Sequence, residues 1–341
     1  QQDLMEQSLG VWSLPDGEDY YRNRIRHHTT LDLSAEEIHQ AGLDDVARIH
    51  KDMRAIMAQV GFQGSLQEFF EFVRNDPNNF YENSDAGREQ FLAEARQQVA
   101  EIESIADQYF NILTKACMEV RRVEPWRENS TSIAFYNRPS EDGSRPGIYY
   151  ANMKDMANFQ KYVFTAITYQ ESVPGHHFQI ANAMELQDIP EFRKTEGYGA
   201  YTEGWALYAE RLAREMGFYQ DPMRDFGRLQ DEIWRSVRLV TDTGIHSLRW
   251  TRQQAIDYFL ENTPISEGDI VTEVERYFVN PGQALGYKMG MIKILELRER
   301  ARAALGDRFD IRAFHDVVIG RGAMPLPVLE RQVEQWMAEQ I

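Results

Sequence analysis

Cysteine is almost absent from the sequence, because Cys117 is the only one in 341 residues, and an internal disulfide framework is therefore excluded. No run of 18 apolar residues occurs either, so we predict no transmembrane helix. Basic residues are outnumbered 37 to 54, which leaves a formal net charge of -17. This charge argues against nucleic acid or an anionic membrane as a partner, since both favour Lys and Arg.

The first ten residues are polar and lack both an initiator Met and the apolar segment of a signal peptide. We therefore expect a processed chain or a fragment of a longer protein. The remaining composition, 43% apolar and 27% charged, is ordinary for a globular protein.

Helical patterns dominate the chain. Ser34 with Glu37, and Ser65 with Glu68, have the spacing of capping boxes. Residues 1–33 are predicted to be an extended arm with a turn at Pro15–Gly17, and 85–115 a single long helix. Short β-branched and aromatic segments predict a small sheet at about 118–153. Further helices are predicted at 155–172, 198–216, 222–243, 251–262, 267–279, 283–304, 310–319 and 326–340. The expected fold class is mainly α, one compact domain over 1–341 with a small inserted sheet.

A broken helix is the first candidate for chemistry. Pro174 cannot continue a helix that contains Glu171, and Gly175 lets the backbone turn before His176 and His177. The alternative interpretation is a kink with two structural histidines.

A second carboxylate, Glu203, lies on a helix that is apolar on several sides and has no basic residue three or four positions away. A buried carboxylate without a local partner needs a distant cation or a metal. Glu210, in contrast, has Arg214 at the i+4 position and is expected to pair with it. Two imidazoles and a carboxylate that leave a fourth position for water predict a catalytic zinc site, with a neighbouring Glu as the base.

The sequence resembles a bacterial family of unknown function whose members are often labelled lipoproteins, and which is similar to the gluzincin metallopeptidases. Six segments carry the resemblance: Trp12–Gly17, Asp142–Gly147, Glu171–His177, Thr202–Tyr208, Asp242–His246 and Pro281–Tyr287. The resemblance implies a large helical, gluzincin-like domain with its active-site helices in 155–216. It also implies a missing N-terminal region and a location in the cell envelope or periplasm, with a lipid anchor on a removed N-terminus.

One position departs from the family pattern His-Glu-x-x-Pro-Gly-His-His, because Gln170 stands where the first His is expected. Gln is a poor zinc ligand compared with imidazole. The predicted metal ligands are therefore His176 and Glu203, with His177 as a competing or additional ligand.

Other site residues are expected from the resemblance and from position alone. Tyr287 is a candidate donor to an oxyanion, and His246 is expected either to do the same or to orient the substrate. Arg238 or Arg276 is a candidate for holding a substrate carboxylate. The alternatives are a packed aromatic ring for Tyr287 and structural ion pairs for the arginines.

The leading hypothesis is a zinc-dependent hydrolase of peptide bonds in which Glu171 is the general base. The alternative is a metal-free relative, favoured by Gln170, that binds a peptide or another envelope component without cleaving it.

Overall fold

A computed structural model describes residues 9–156, 159–187, 189–195 and 197–340, and it confirms a mainly helical fold with a small inserted sheet. The strands are β1 (Met118–Arg122), β2 (Ala134–Asn137) and β3 (Gly147–Ala151). The helices before the sheet are α1 (Gly17–Thr29), α2 (Ala35–Gln59), α3 (Leu66–Asn75) and α4 (Asp85–Glu103). Those after it are α5 (Lys161–Glu171), α6 (His176–Glu185), α7 (Phe192–Thr195), α8 (Gly199–Glu215), α9 (Pro222–His246), α10 (Arg252–Asn262), α11 (Glu267–Val279), α12 (Leu285–Leu305), α13 (Ile311–Ile319) and α14 (Leu326–Gln340).

Local capping explains several helix starts. The side chains of Ser34 and Ser65 each accept the backbone N–H three residues on, and Glu37 and Glu68 return a bond to the backbone of the capping serine. Both predicted capping boxes are therefore confirmed. Each one satisfies two backbone amides that the first helical turn leaves free.

Two predictions about the N-terminal part were wrong. Residues 17–29 form α1 rather than an extended arm, and Tyr21 and Ile25 of this helix are buried. The predicted helix over 85–115 ends at Glu103, and the chain then places Phe110 in the core. The Phe110 ring lies 4.5 Å from that of Phe178, so a tertiary contact overrides the local helix propensity.

The sheet has the order β1-β3-β2, with β3 parallel to β1 and antiparallel to β2. Every residue of β3 is buried, as expected for a central strand covered on both faces. Tyr149 of β3 pairs in register with Val120 on one side and Tyr136 on the other.

Helix α9 is central to the helical part. It packs along α2 and α5 and also contacts α12, while α12 packs along α8. Helices α5, α6, α8, α9 and α12 thereby meet in one region, and the predicted site residues of the second half of the chain lie on or beside them. Among the described residues, no helix is both long and apolar enough to cross a membrane.

Candidate functional site

The broken helix predicted at Pro174 is present. Helix α5 ends at Glu171 and α6 begins at His176, with Gly175 as its N-cap. A Cβ on Gly175 would lie 2.0 Å from the carbonyl oxygen of Gln170, so only glycine fits this close approach. The indole N–H of Trp205 donates to the Pro174 carbonyl over 2.8 Å and ties the break to α8.

His176 and Glu203 form the centre of the site. The His176 Nε2 atom lies 3.4 Å from Oε2 of Glu203. Burial lowers the pKa of His176, but the charge of Glu203 more than compensates and raises it to about 9. Two helices, α6 and α8, thus bring a cationic imidazole and a carboxylate into contact across 27 residues of sequence.

Close helix packing sets the position of Glu203. The next residue, Gly204, lies against Gly290 of α12, and a Cβ on Gly204 would be 2.5 Å from the backbone of Gly290. Paired glycines allow the two helix backbones to approach closely, and this contact directs the first turns of α8 towards α12 and Tyr287.

Glu171 is buried next to this pair, with 6% of its surface exposed. Burial raises the pKa of Glu171 to about 7, with His176 lowering it and Glu203 raising it. A carboxyl group whose pKa lies near neutrality can both accept and release a proton under ordinary conditions, which is what a general base requires.

His177 points away from this centre. Its Nδ1 atom is 2.9 Å from the hydroxyl of Tyr136, and its Nε2 atom is 3.1 Å from the carbonyl oxygen of Ala116. Burial lowers the pKa of His177 to about 4, so the ring is neutral at pH 7. Both ring nitrogens are engaged in this arrangement, so the structure gives no support for His177 as a metal ligand.

Tyr287 lies beside Glu203 at the start of α12. The charge of Glu203 is the largest cause of a raised pKa at Tyr287, with burial as the second cause. The guanidinium carbon of Arg238 lies 4.7 Å from the centre of the Tyr287 ring. Tyr287 therefore keeps its hydroxyl proton and can act as a hydrogen-bond donor.

The two predicted substrate-binding arginines share one carboxylate. Arg238 Nε and Arg276 Nη2 each donate to Oε1 of Glu273 over 2.7 Å. Arg276 also donates to Gln283 over 2.5 Å. Arg238 also borders Tyr287, and the charges of both arginines lower the pKa of that tyrosine.

His246 serves the packing of the N-terminal segment. Its Nδ1 atom accepts the backbone N–H of Val11 over 3.2 Å, and its Nε2 atom is 3.1 Å from the carbonyl oxygen of Tyr277. Burial lowers its pKa to about 4. These contacts give no support for the predicted role of His246 in catalysis.

The sequence analysis missed Arg235 of α9. Its Nη1 group donates to the carboxylate of Asp231, and its charge lowers the pKa of Glu171, His176, Glu203 and Tyr287. The available signal was its spacing of three residues from Arg238, which places both side chains on one face of a helix.

The expected pairing of Glu210 with Arg214 was wrong. Arg214 Nε donates instead to Asp225 over 2.8 Å. Glu210 is fully buried, and burial together with the neighbouring charge of Asp231 raises its pKa well above the ordinary value. Among the described residues, neither carboxyl oxygen of Glu210 has a hydrogen-bond partner.

The donor set fits a metal ion only in part. Two donors on one tetrahedral zinc, with bonds of about 2.0–2.2 Å, are separated by roughly the 3.4 Å seen between His176 and Glu203. In the part of the chain that the structure describes, no group of three or more His, Cys, Asp or Glu side chains is arranged to hold a metal. Gln170, the residue before Glu171, is buried at the end of α5.

Comparisons with known proteins agree with this fold. A family model described as a bacterial protein of unknown function (DUF885) matches residues 1–333. The crystal structure of the putative lipoprotein from Colwellia psychrerythraea is 44% identical, with a TM-score of 0.94 over 99% of this chain. A putative lipoprotein of unknown function from Shewanella oneidensis, 20% identical with a TM-score of 0.78 over 94% of this chain, shares the fold. This chain spans 59% of the length of each of those two structures. No curated protein matches it.

Proposed function

The chain belongs to DUF885, a family of bacterial proteins of unknown function, and we propose that it carries the catalytic residues of a peptide-bond hydrolase. The observation that carries this proposal is the position of Glu171, a buried carboxyl group with a pKa of about 7 beside the His176–Glu203 pair. Perturbed titratable groups held together at a helix break are typical of catalytic sites.

Zinc is the cofactor of this proposal, and His176 and Glu203 would hold it. When bound, zinc supplies a water of lowered pKa and polarises the scissile carbonyl. Because a metal-bound imidazole must be unprotonated, binding would replace the ion pair of the free site and release a proton.

The remaining chemistry belongs to residues of this chain. Glu171 takes a proton from the attacking water at its carboxylate and delivers it to the leaving amine. Tyr287, which keeps its proton beside Glu203, donates a hydrogen bond from its hydroxyl group to the developing oxyanion. The similar lipoproteins support an envelope location for the chain, where peptides are available as substrates.

The second candidate is a metal-free relative that binds a peptide or an envelope component without cleaving it. Gln170 favours it, because Gln is a weaker zinc ligand than the His of the family pattern. The direct pairing of His176 with Glu203 favours it as well, since each side chain already compensates the charge of the other.

Zinc stoichiometry by elemental analysis separates the two candidates. We would measure the zinc stoichiometry of the native chain and of Gln170→His. The matched control is Gln63→His, because Gln63 is exposed on a loop that is far from Gln170 in sequence. The hydrolase proposal predicts near-stoichiometric zinc in the native chain and a loss of peptide cleavage in Glu171→Gln by roughly 10²–10⁴.

Zinc in Gln170→His alone would assign the native chain to the metal-free alternative. Zinc in neither folded protein would overturn the zinc proposal.

A further inference from the structure

Two arginines face the proposed active site from one helix. Arg235 and Arg238 are three residues apart on α9, and the guanidinium carbon of each lies 5.8 Å from the centre of the Trp234 ring. Arg238 also lies over the Tyr287 ring. The positive charges of both side chains lower the pKa of Glu203, so both guanidinium groups are near the proposed catalytic centre.

Three arginines share two carboxylates in this region. Asp231 pairs with Arg235, but Glu273 is shared by Arg238 and Arg276. His176 and Glu203 compensate each other. Among the described residues, Arg235, Arg238 and Arg276 thus have two direct carboxylate partners between them, and an anionic ligand would supply a third.

Both arginines keep hydrogen-bonding capacity. Among the described residues, Arg235 donates only through Nη1, to the carboxylate and the carbonyl of Asp231. Within the same described residues, Arg238 donates only through Nε, to Glu273. Its Nη1 group is buried without a hydrogen-bond partner. A guanidinium group has five N–H donors, so each arginine has donors left for a carboxylate.

We propose that Arg235 and Arg238 form a subsite for the free C-terminal carboxylate of a short peptide. This subsite rests on the proposed function and gives it a substrate class. A peptide whose C-terminal carboxylate is held beside Tyr287 would have its last peptide bonds near Glu171. The protein is then an exopeptidase that removes residues from the C-terminal end. Arg276 is left out of the subsite because both of its terminal amino groups already donate, Nη1 to Gln283 and Nη2 to Glu273.

A binding measurement on metal-free protein tests the subsite without requiring hydrolysis. Isothermal titration calorimetry would compare N-acetyl-trialanine, which has a free carboxylate, with N-acetyl-trialanine amide. A third peptide, with an amidated C-terminus and an internal Asp, distinguishes a chain-end carboxylate from a side-chain carboxylate. We expect the free acid to bind at least tenfold more tightly than either amidated peptide.

Variants assign this preference to the two arginines. Arg235→Gln and Arg238→Gln should each reduce the preference for the free acid by about tenfold, whereas Arg235→Lys should retain part of it because it keeps the charge but not the fork of donors. Arg211→Gln is the matched control, since Arg211 is a partly exposed arginine on α8 that pairs with Glu215. Circular dichroism checks folding, and the Lys variant at the same position replaces either Gln variant that does not fold.

Equal affinity for acid and amide, no binding of either peptide, or full preference in both Gln variants would overturn the subsite. A preferred free acid in a protein that neither binds zinc nor cleaves peptides would support the subsite and refute only the hydrolase.

Discussion

Replacing Lys288 with Met tests whether a buried ion cluster holds the two helices that face each other across the site. Lys288 follows Tyr287 on α12 and is only 1% exposed. Its ammonium group lies 2.7 Å from Asp45 of α2 and 2.7 Å from Glu232 of α9. Glu232 is three residues before Arg235, so the cluster joins the helix of the arginines to the helix of Tyr287.

The expected cost follows from what the substitution leaves behind. Lys288→Met removes one partner and leaves Asp45 and Glu232 inside the protein, and breaking a buried pair in this way costs about 3–5 kcal/mol. Arg48 and Arg228 still pair with Glu232 in the variant. We therefore expect the lower end, about 3 kcal/mol less free energy of unfolding.

Urea unfolding at pH 7 measures this loss, with Lys51→Met as the matched control. Lys51 is exposed on α2, and its replacement should change the free energy of unfolding by less than about 0.5 kcal/mol. A loss below about 1 kcal/mol in Lys288→Met, with an unchanged dependence on urea concentration, would refute the reasoning.

The pH dependence gives a second check. Burial raises the pKa of Glu232, but Lys288 and Arg48 outweigh it and hold the pKa well below its ordinary value. A carboxylate with a lowered folded pKa contributes stability that is present above its unfolded pKa and is lost as the pH falls. The difference between the native chain and Lys288→Met should therefore be full at pH 7 and narrow below about pH 4.3, the ordinary pKa of Glu.

Three further predictions concern the packing and electrostatics near the site. Gly290→Ala places a Cβ 1.8 Å from the carbonyl oxygen of Ala200 and should lower the free energy of unfolding, measured in urea, by about 3 kcal/mol. The control is Gly268→Ala, whose Cβ meets open space and which should not lower the free energy of unfolding. Burial raises the pKa of Asp242 to about 7, so its contribution to stability is present below pH 4 and lost as the pH rises through 7. Asp242→Asn should lack this decline when urea midpoints are compared across that range, and an unchanged slope would contradict the assignment. Glu203→Gln should bring the pKa of His176 from about 9 to below 6.5 in an NMR titration, because burial then acts against the charged ring; a value still near 9 would identify another partner.

Local sequence patterns were sufficient for the small sheet, for most of the helices and for the broken helix, but not for α1 or for the end of α4. Ser34 with Glu37 marks a helix start because a capping box involves only four consecutive residues. Pro174 predicts the break after Glu171 for the same reason, since its missing N–H and its ring act on the preceding turn. The absence of a basic residue one turn from Glu203 correctly indicated a partner distant in sequence, and that partner is His176.

Only the tertiary structure decided which side chains meet. Two adjacent histidines project about 100° apart on a helix, so His176 reaches Glu203 while His177 reaches Tyr136 of the sheet, and no local rule selects between them. Arg235 lies near the site because α9 packs against α5, α8 and α12. Glu210 lacks its expected partner because Arg214 donates to Asp225. Helix and turn formation depend on interactions between residues within about four positions of each other. Charge pairing between helices depends on which helices pack together, and that is determined by the burial of apolar side chains from the whole chain.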